Sequence, residues 1–200
     1  MHSSIVLALA TLATGAMSKI FSVGPSFIHI TGKNDTRIKG YGQSCHAGAA
    51  AAGLCYVDRE DDENLKLYYF NYSTDATGDR AGALTFNMEF QKSNGTETMP
   101  FAAKLRANPG SNMQVVIFGP GLEEDSVFSA GDDGKFFISG LRDDSHWGEK
   151  QPAFGGHMDL QRFYLCWQWV GFYWRRSIAW ASSLPPQNPS CEPVNVRIGI

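Results

Sequence analysis

The sequence predicts an all-β chain, folded as an antiparallel β-sandwich with a β-barrel as the alternative, and stapled by two disulfides. Three observations predict it. Short segments alternate apolar and polar residues with a period of two. Turn signals recur about every 8 to 12 residues. Beyond the first residues, no stretch of about a dozen residues carries a convincing helical period. The composition is globular, with 43% hydrophobic and 18% charged residues and a net charge of −3. There is apolar surface to bury and no charge excess to force disorder. An isoelectric point near 5.9 offers no basic footprint for phosphate backbones, which argues against nucleic acid as a partner.

The chain starts "MHSSIVLALATLATGAMS". A polar start, an apolar run from Ile5 to Ala13 and small residues at Thr14, Gly15, Ala16 and Ser18 form a secretory signal peptide over residues 1–18. Cleavage is expected after Ala16 or Ser18, leaving a single secreted β domain over residues 19–200. The run is too short to span a membrane, which takes about twenty apolar residues, and no later stretch qualifies. Three N-x-[ST] sequons, at Asn34, Asn71 and Asn94, fit a glycosylated extracellular protein.

The elements follow in order. "SFIHI" reads as a strand, with His29 on it as a satisfied core histidine. Next comes "CHAGAAAAGLC", residues 45–55. Four cysteines in an oxidising compartment imply two disulfides, with three pairings open. A Cys45–Cys55 bridge needs Cα atoms within about 7 Å, whereas a continuous helix would separate them by roughly 15 Å. The expectation is a stapled loop: one helical turn through residues 49–52, reversed at Gly53 by a left-handed cap. The acidic "REDDEN" that follows is the only plausible linker.

"LKLYYFN" reads as a further strand, and "LTFNMEF" is the cleanest, with Leu84, Phe86, Met88 and Phe90 on one face. "MPFAAKL" repeats the pattern with Met99, Phe101, Ala103 and Leu105. Asn94-Gly95 between them accepts the positive φ of a tight hairpin, so a glycan on Asn94 would leave from its tip. "MQVVIF" adds a strand. Residues 131–134 turn a second hairpin between "VFSA" and "KFFIS". "VNVRIGI" closes the chain with Val194, Val196, Ile198 and Ile200 on one face.

The aromatic block "FYLCWQWVGFYWRRSIAW" is the most unusual segment. Trp167, Trp169, Phe172, Tyr173, Trp174 and Trp180 crowd 14 positions, together with Arg175 and Arg176. Period two places Phe163, Leu165, Trp167 and Trp169 on one face. The expected hairpin has a strand over 163–169, a turn near Gly171 and a strand over 177–183. Most of these rings belong in a core. Those nearest the turn, Phe172, Tyr173 and Trp174, are the candidates to stay exposed and stack on sugar rings or a partner surface. The prolines of "PPQNPSCEPVNV" hold an extended connection and deliver Cys191 to the start of the last strand. If that strand pairs with 163–169, a Cys166–Cys191 bridge clamps the end of the sheet.

Familiar catalytic patterns are missing. There is no CxxC, G-x-S-x-G, H-E-x-x-H or Walker loop. An oxidised Cys45 beside His46 is no nucleophile. The run from Asp58 to Asn64 fails the EF-hand pattern, whose glycine position holds Glu63. The remaining acids, at 123–125, Asp132 and Asp143, read as solvated turns, and His29, His146 and His157 lack ligand spacing. No catalytic, cofactor or metal residue is expected.

"CHAGAAAAGLC", "FYLCWQW", "SIAWASS" and "PQNPSCEPVNV" resemble, in that order, a group of uncharacterised secreted proteins of filamentous ascomycete fungi. The resemblance covers most of the chain beyond the leader, with its motifs at the two ends. It implies a fungal extracellular β protein with disulfides, and no established activity, cofactor or catalytic residue. Relatives in that group often carry an acidic residue where Ala47 stands here, which counts against a metal role for this loop. The expected function is that of a secreted, non-catalytic protein binding a cell-wall glycan or a host surface protein through the aromatic hairpin. The alternative is a secreted hydrolase of polysaccharides or esters whose carboxylates converge only in three dimensions.

Overall fold

The computed structural model describes residues 20–58, 65–74, 80–121, 128–140 and 158–199. The leader, the 59–64 linker, the acids at 123–125, Asp143, His146, His157 and Ile200 lie outside the described residues. Among the described residues all regular structure is β, and every pairing between strands is antiparallel. No helix of the described residues is long and apolar enough to cross a membrane.

Among the described residues fourteen strands join one sheet. Its path runs β11 (Met158–Leu160), β10 (Phe136–Gly140), β9 (Phe128–Ala130), β6 (Arg80–Lys92), β7 (Gly95–Asn108) and β8 (Ser111–Pro120). It continues through β13 (Tyr173–Ala181), β12 (Phe163–Val170), β14 (Glu192–Ile198), β2 (Ile28–Gly32), β3 (Lys39–Gly48) and β4 (Ala51–Val57). Off this path, β5 (Tyr68–Thr74) pairs with β6 and carries β1 (Phe21–Ser26) on its other edge. The path then returns on itself. β4 pairs with β8 through Ala52↔Phe118 and Gly53↔Ile117, and with β13 through Ser177↔Cys55. β8 and β13 pair directly only from Met113↔Ala181 to Val115↔Ala179, and β4 enters where they part.

The alternation in the sequence decides which side chains meet inside. Ile28 and Ile30, Leu84 and Phe86, Val116 and Phe118, Phe163 and Leu165, Ile178 and Trp180, and Val194, Val196 and Ile198 all enter one core. Its centre is aromatic: Phe86 lies edge-to-face on Phe118 at 5.0 Å, and Tyr68 and Phe101 each lie 5.8 Å from Phe86. Burying one such ring contributes about 1.5–3 kcal/mol, and edge-to-face geometry adds to it. Desolvation pushes the Tyr68 phenol far above its ordinary range, so it stays neutral. Two smaller clusters lie on the opposite side of the sheet. One joins Ala47, Val115, Ile117 and Val170, the other Met113, Cys166, Ala179 and Ala181.

Several expectations hold. The 194–198 alternation faces inward as β14, and the 128–130 and 136–140 strands form a hairpin. Others are corrected. Residues 49–52 make no helical turn. β3 and β4 form a tight hairpin whose turn is Ala49-Ala50, and the left-handed residue is Ala50 (φ 49°) rather than Gly53. Alanine's helix preference is a weak prior, overridden here by pairing on both edges of β4. His29 is exposed rather than buried, because Ile28 and Ile30 take the inward positions of β2; its ring lies 5.1 Å from Tyr41. "SFIHI" is split between β1 and β2 at Phe27. The β6–β7 turn is Ser93-Asn94, and Gly95 (φ 135°) opens β7. The second strand of the aromatic hairpin begins at Tyr173, four positions before the expected 177.

Both disulfides form, Cys45–Cys55 and Cys166–Cys191. In the first, Cys45 faces Gly53 and Cys55 faces Gln43 across the hairpin, so the bridge runs diagonally with Cα atoms 5.8 Å apart. In the second, β14 pairs with β12 through Leu165↔Glu192 and Tyr164↔Pro193, which brings Cys191 beside Cys166. By the chain-entropy model, closing a loop with a separation of 25 residues stabilises the fold by about 3 kcal/mol. Replacing Cys166 and Cys191 together by alanine is expected to lower the unfolding free energy by about that amount, read from urea unfolding with the slope fitted for each protein.

Candidate functional site

β12 and β13 form the aromatic hairpin, in register from Phe163↔Trp180 to Val170↔Tyr173. A two-residue turn, Gly171-Phe172, joins them. Gly171 has φ +60°, and a Cβ there would lie 1.6 Å from the Ala47 carbonyl oxygen. Only glycine supplies both that backbone and that clearance. The hairpin tip therefore rests directly on the β3–β4 turn. Gly53 makes a second close approach, since its Cβ would meet Val170 Cγ1 at 2.2 Å.

The two faces of this hairpin differ. On one, Cys166, Gln168, Ser177 and Val170 are buried; Gln168 Nε2 donates to Ser177 Oγ at 2.9 Å, and Val170 packs on Ala47, Val115 and Ile117. On the other face the environment changes along the strand. Phe163/Trp180 and Leu165/Ile178 lie in the core. Trp167 and Arg176 follow, then the pair Trp169 and Trp174, 5.6 Å apart and T-shaped. Trp169 is 60% exposed, Trp174 53% and Phe172 84%, with Trp167 and Tyr173 also in solvent. Phe172, Tyr173 and Trp174 all stay exposed at the tip, as the sequence suggested, with Tyr173 on the Val170 face and Trp174 on the Trp169 face. Trp167 and Trp169 belong with them, although period two had grouped them with core residues. No sequence signal marks the position along β12 where the covering layer ends.

Two adjoining cavities of about 300 Å³ and about 230 Å³ open beside these rings and share Trp169 and Asn108. Ala47, Arg106 and Phe172 wall the first; Trp174, Gln187 and Asn188 wall the second. Amide hydrogen bonds fix the polar walls. Asn112 and Gln187 exchange bonds, each backbone N–H donating to the other's side-chain oxygen at 2.8 Å. Asn188 Nδ2 donates to the Trp167 carbonyl at 2.8 Å. The Oδ1 of Asn108 accepts from the Gly110 N–H. Among the described residues, Asn108 Nδ2 and Gln187 Nε2 donate to no protein group, so the amide N–H groups of both remain for a ligand. Tyr173 lies T-shaped against His46 at 5.2 Å, and Arg175 lies over the Tyr173 ring at 5.6 Å.

Among the described residues no carboxylate lines either cavity, and no group of three or more His, Cys, Asp or Glu side chains could hold a metal. The carboxylates with shifted titration lie elsewhere. Hydrogen bonds from the Arg37 guanidinium and backbone N–H hold Asp35 down to about 2. The Lys135 N–H, with Arg197 and the Lys135 ammonium beside it, holds Asp133 below its ordinary value. Glu192 is paired with Arg176 at 3.2 Å, whose guanidinium also lies over Tyr56. Asn34 is exposed between β2 and β3, and Asn94 is exposed at the β6–β7 tip. Asn71 is half-buried in the middle of β5, its Nδ2 donating to Thr85 Oγ1 at 3.1 Å.

Gly171→Ala is expected to destabilise the chain by about 1–3 kcal/mol through strain and displacement of the tip. Phe172→Ala, one position on and in solvent, is expected to stay within about 0.5 kcal/mol of the parent. Urea unfolding followed by tryptophan fluorescence separates the two. No family model, curated protein or solved structure matches this chain.

Proposed function

We propose that this chain is a secreted, non-catalytic binding protein that holds a cell-wall glycan on the exposed end of its β12–β13 hairpin. One observation carries the reading: five large aromatic side chains stand in solvent at the end of one hairpin, next to cavities whose walls include amides. Exposed aromatic clusters of this extent are rare on a surface without a partner. Pyranose rings offer flat C–H faces to such rings and hydroxyls to such amides. Because cross-strand pairing already orders the backbone that carries Trp167, Trp169, Tyr173 and Trp174, little backbone entropy is lost on binding. Secretion is supported by the leader pattern, by the sequons and by two disulfides, which persist in oxidising compartments. The same signals, with the resemblance noted above, favour a fungal extracellular setting.

A host surface protein could use the same rings, and retention on polysaccharide separates the two partners. A hydrolase has less support. A general acid near neutral pH needs a raised carboxyl pKa, and Asp35 and Asp133 are moved the other way by their cationic partners.

Binding is expected on at least one of insoluble chitin, β-glucan and cellulose. Trp169→Ala and Trp174→Ala should each lower retention tenfold or more while leaving the melting temperature within a few degrees, since both rings lie in solvent. A parent protein retained on none of them removes the glycan reading. Glycopeptide mapping of chain secreted from a eukaryotic host is expected to find Asn34 and Asn94 occupied and Asn71 bare, because the Asn71 amide is engaged within the sheet. A glycan on Asn71 would contradict that geometry.

A further inference from the structure

Charge at the hairpin end narrows the ligand. Arg106 lies near the end of β7, opposite Val115 of β8, and walls the larger cavity together with Trp169 and Phe172. It is exposed, and among the described residues it takes part in no ion pair. Arg175 stands in solvent across the tip, opposite Gln168, with Tyr173 as its aromatic neighbour. The chain as a whole carries a net charge of −3, yet the described residues that wall these cavities include one cation, Arg106, and no carboxylate. Elsewhere arginines have acidic partners: Arg37 has Asp35, Arg80 has Asp132, Arg176 has Glu192 and Arg197 has Asp133. The aromatic end departs from that pattern.

We infer that the polymer bound here is anionic, a uronic-acid polysaccharide. Its ring faces stack on Trp169 and Trp174, and Arg106 takes its carboxylates. An arginine fork matches a carboxylate in geometry as well as in charge. Desolvation by the neighbouring aromatic rings strengthens such a contact relative to a bare surface pair. This inference rests on the glycan reading above and deepens it by naming the sugar class.

The test uses the full secreted chain and two matched pairs of soluble polymers. A short β-1,4-linked glucuronan oligomer is compared with the soluble cello-oligosaccharide of equal length, and polygalacturonate with its fully methyl-esterified form. Within each pair the linkage is constant and the charge is removed. The parent protein is expected to bind at least one acid form about tenfold more tightly than its uncharged partner, with the preference shrinking at 0.5 M salt (concentration chosen to screen beyond about 4 Å). Arg106→Gln should abolish the preference and leave binding of the uncharged partner unchanged, while Trp169→Ala should weaken both forms. Equal affinity for acid and uncharged forms, or an Arg106→Gln variant that keeps the preference, overturns the inference while stacking stands. A parent protein that binds neither charged nor uncharged polymers overturns the glycan reading itself, and the inference falls with it.

Discussion

The packing of Val170 against Ala47, Val115 and Ile117 is the contact on which the rest of the arrangement depends. It seats the end of the β12–β13 hairpin on the β3–β4 turn and on β8. Two glycines make that seat possible. A Cβ on Gly53 would collide with Val170, and one on Gly171 would collide with the Ala47 carbonyl. With both absent, the backbones approach closely, β4 slips between β8 and β13, and the pairing path returns on itself. The Cys45–Cys55 bridge ties the same hairpin together behind this contact, and Gly53 opposite Cys45 leaves the sulfur room.

From that seat follows the division of the aromatic block. Burying Val170 and Gln168 directs the alternating residues of β12 to the other face, and there the outcome depends on distance from the core. Phe163 and Leu165 enter the core, whereas Trp167 and Trp169 stay exposed. The Cys166–Cys191 bridge acts at the crossover point. It fixes β14 to the buried half of β12, while the 188–190 segment hydrogen-bonds the Trp167 backbone through Asn188 and Ser190. The exposed half is left as a two-stranded ribbon with a covalently anchored base.

Much of this was legible in the sequence. Period-two alternation identifies the strands at 84–90 and 194–198 and their inward sides, because a residue's face is a local property of an extended backbone. The oxidising setting and the position of Cys191 just before a strand point to the second bridge. What is not local was not legible. His29 sits in an apolar stretch yet faces out, since neighbouring isoleucines claim the interior. Ala49 and Ala50 favour a helix in isolation and form a hairpin turn under pairing constraints that arise from β8 and β13, more than sixty residues away. The exposure of Trp167 and Trp169 depends on where other strands stop. The place of Arg106 in the cavity that Trp169 and Phe172 also wall depends on a β7–β8 register that brings position 106 across from 115.

The form of the exposed end bears on how it could hold a ligand. A ring on a flexible loop must surrender its freedom when something stacks on it, and that loss is comparable to the gain from one stacking contact. Here the backbone of each ring-bearing residue from 167 to 170 and 173 to 176 is paired across the hairpin. Trp169 and Trp174 also restrict one another as a cross-strand pair. Such a surface gains from several weak contacts made at once, since each added ring costs little further ordering. An extended polymer presents repeated, evenly spaced faces and satisfies that condition better than a small molecule does. The cavities on either side of Trp169 continue the same line of contact past a single ring. The geometry therefore favours a ligand longer than the pocket it enters.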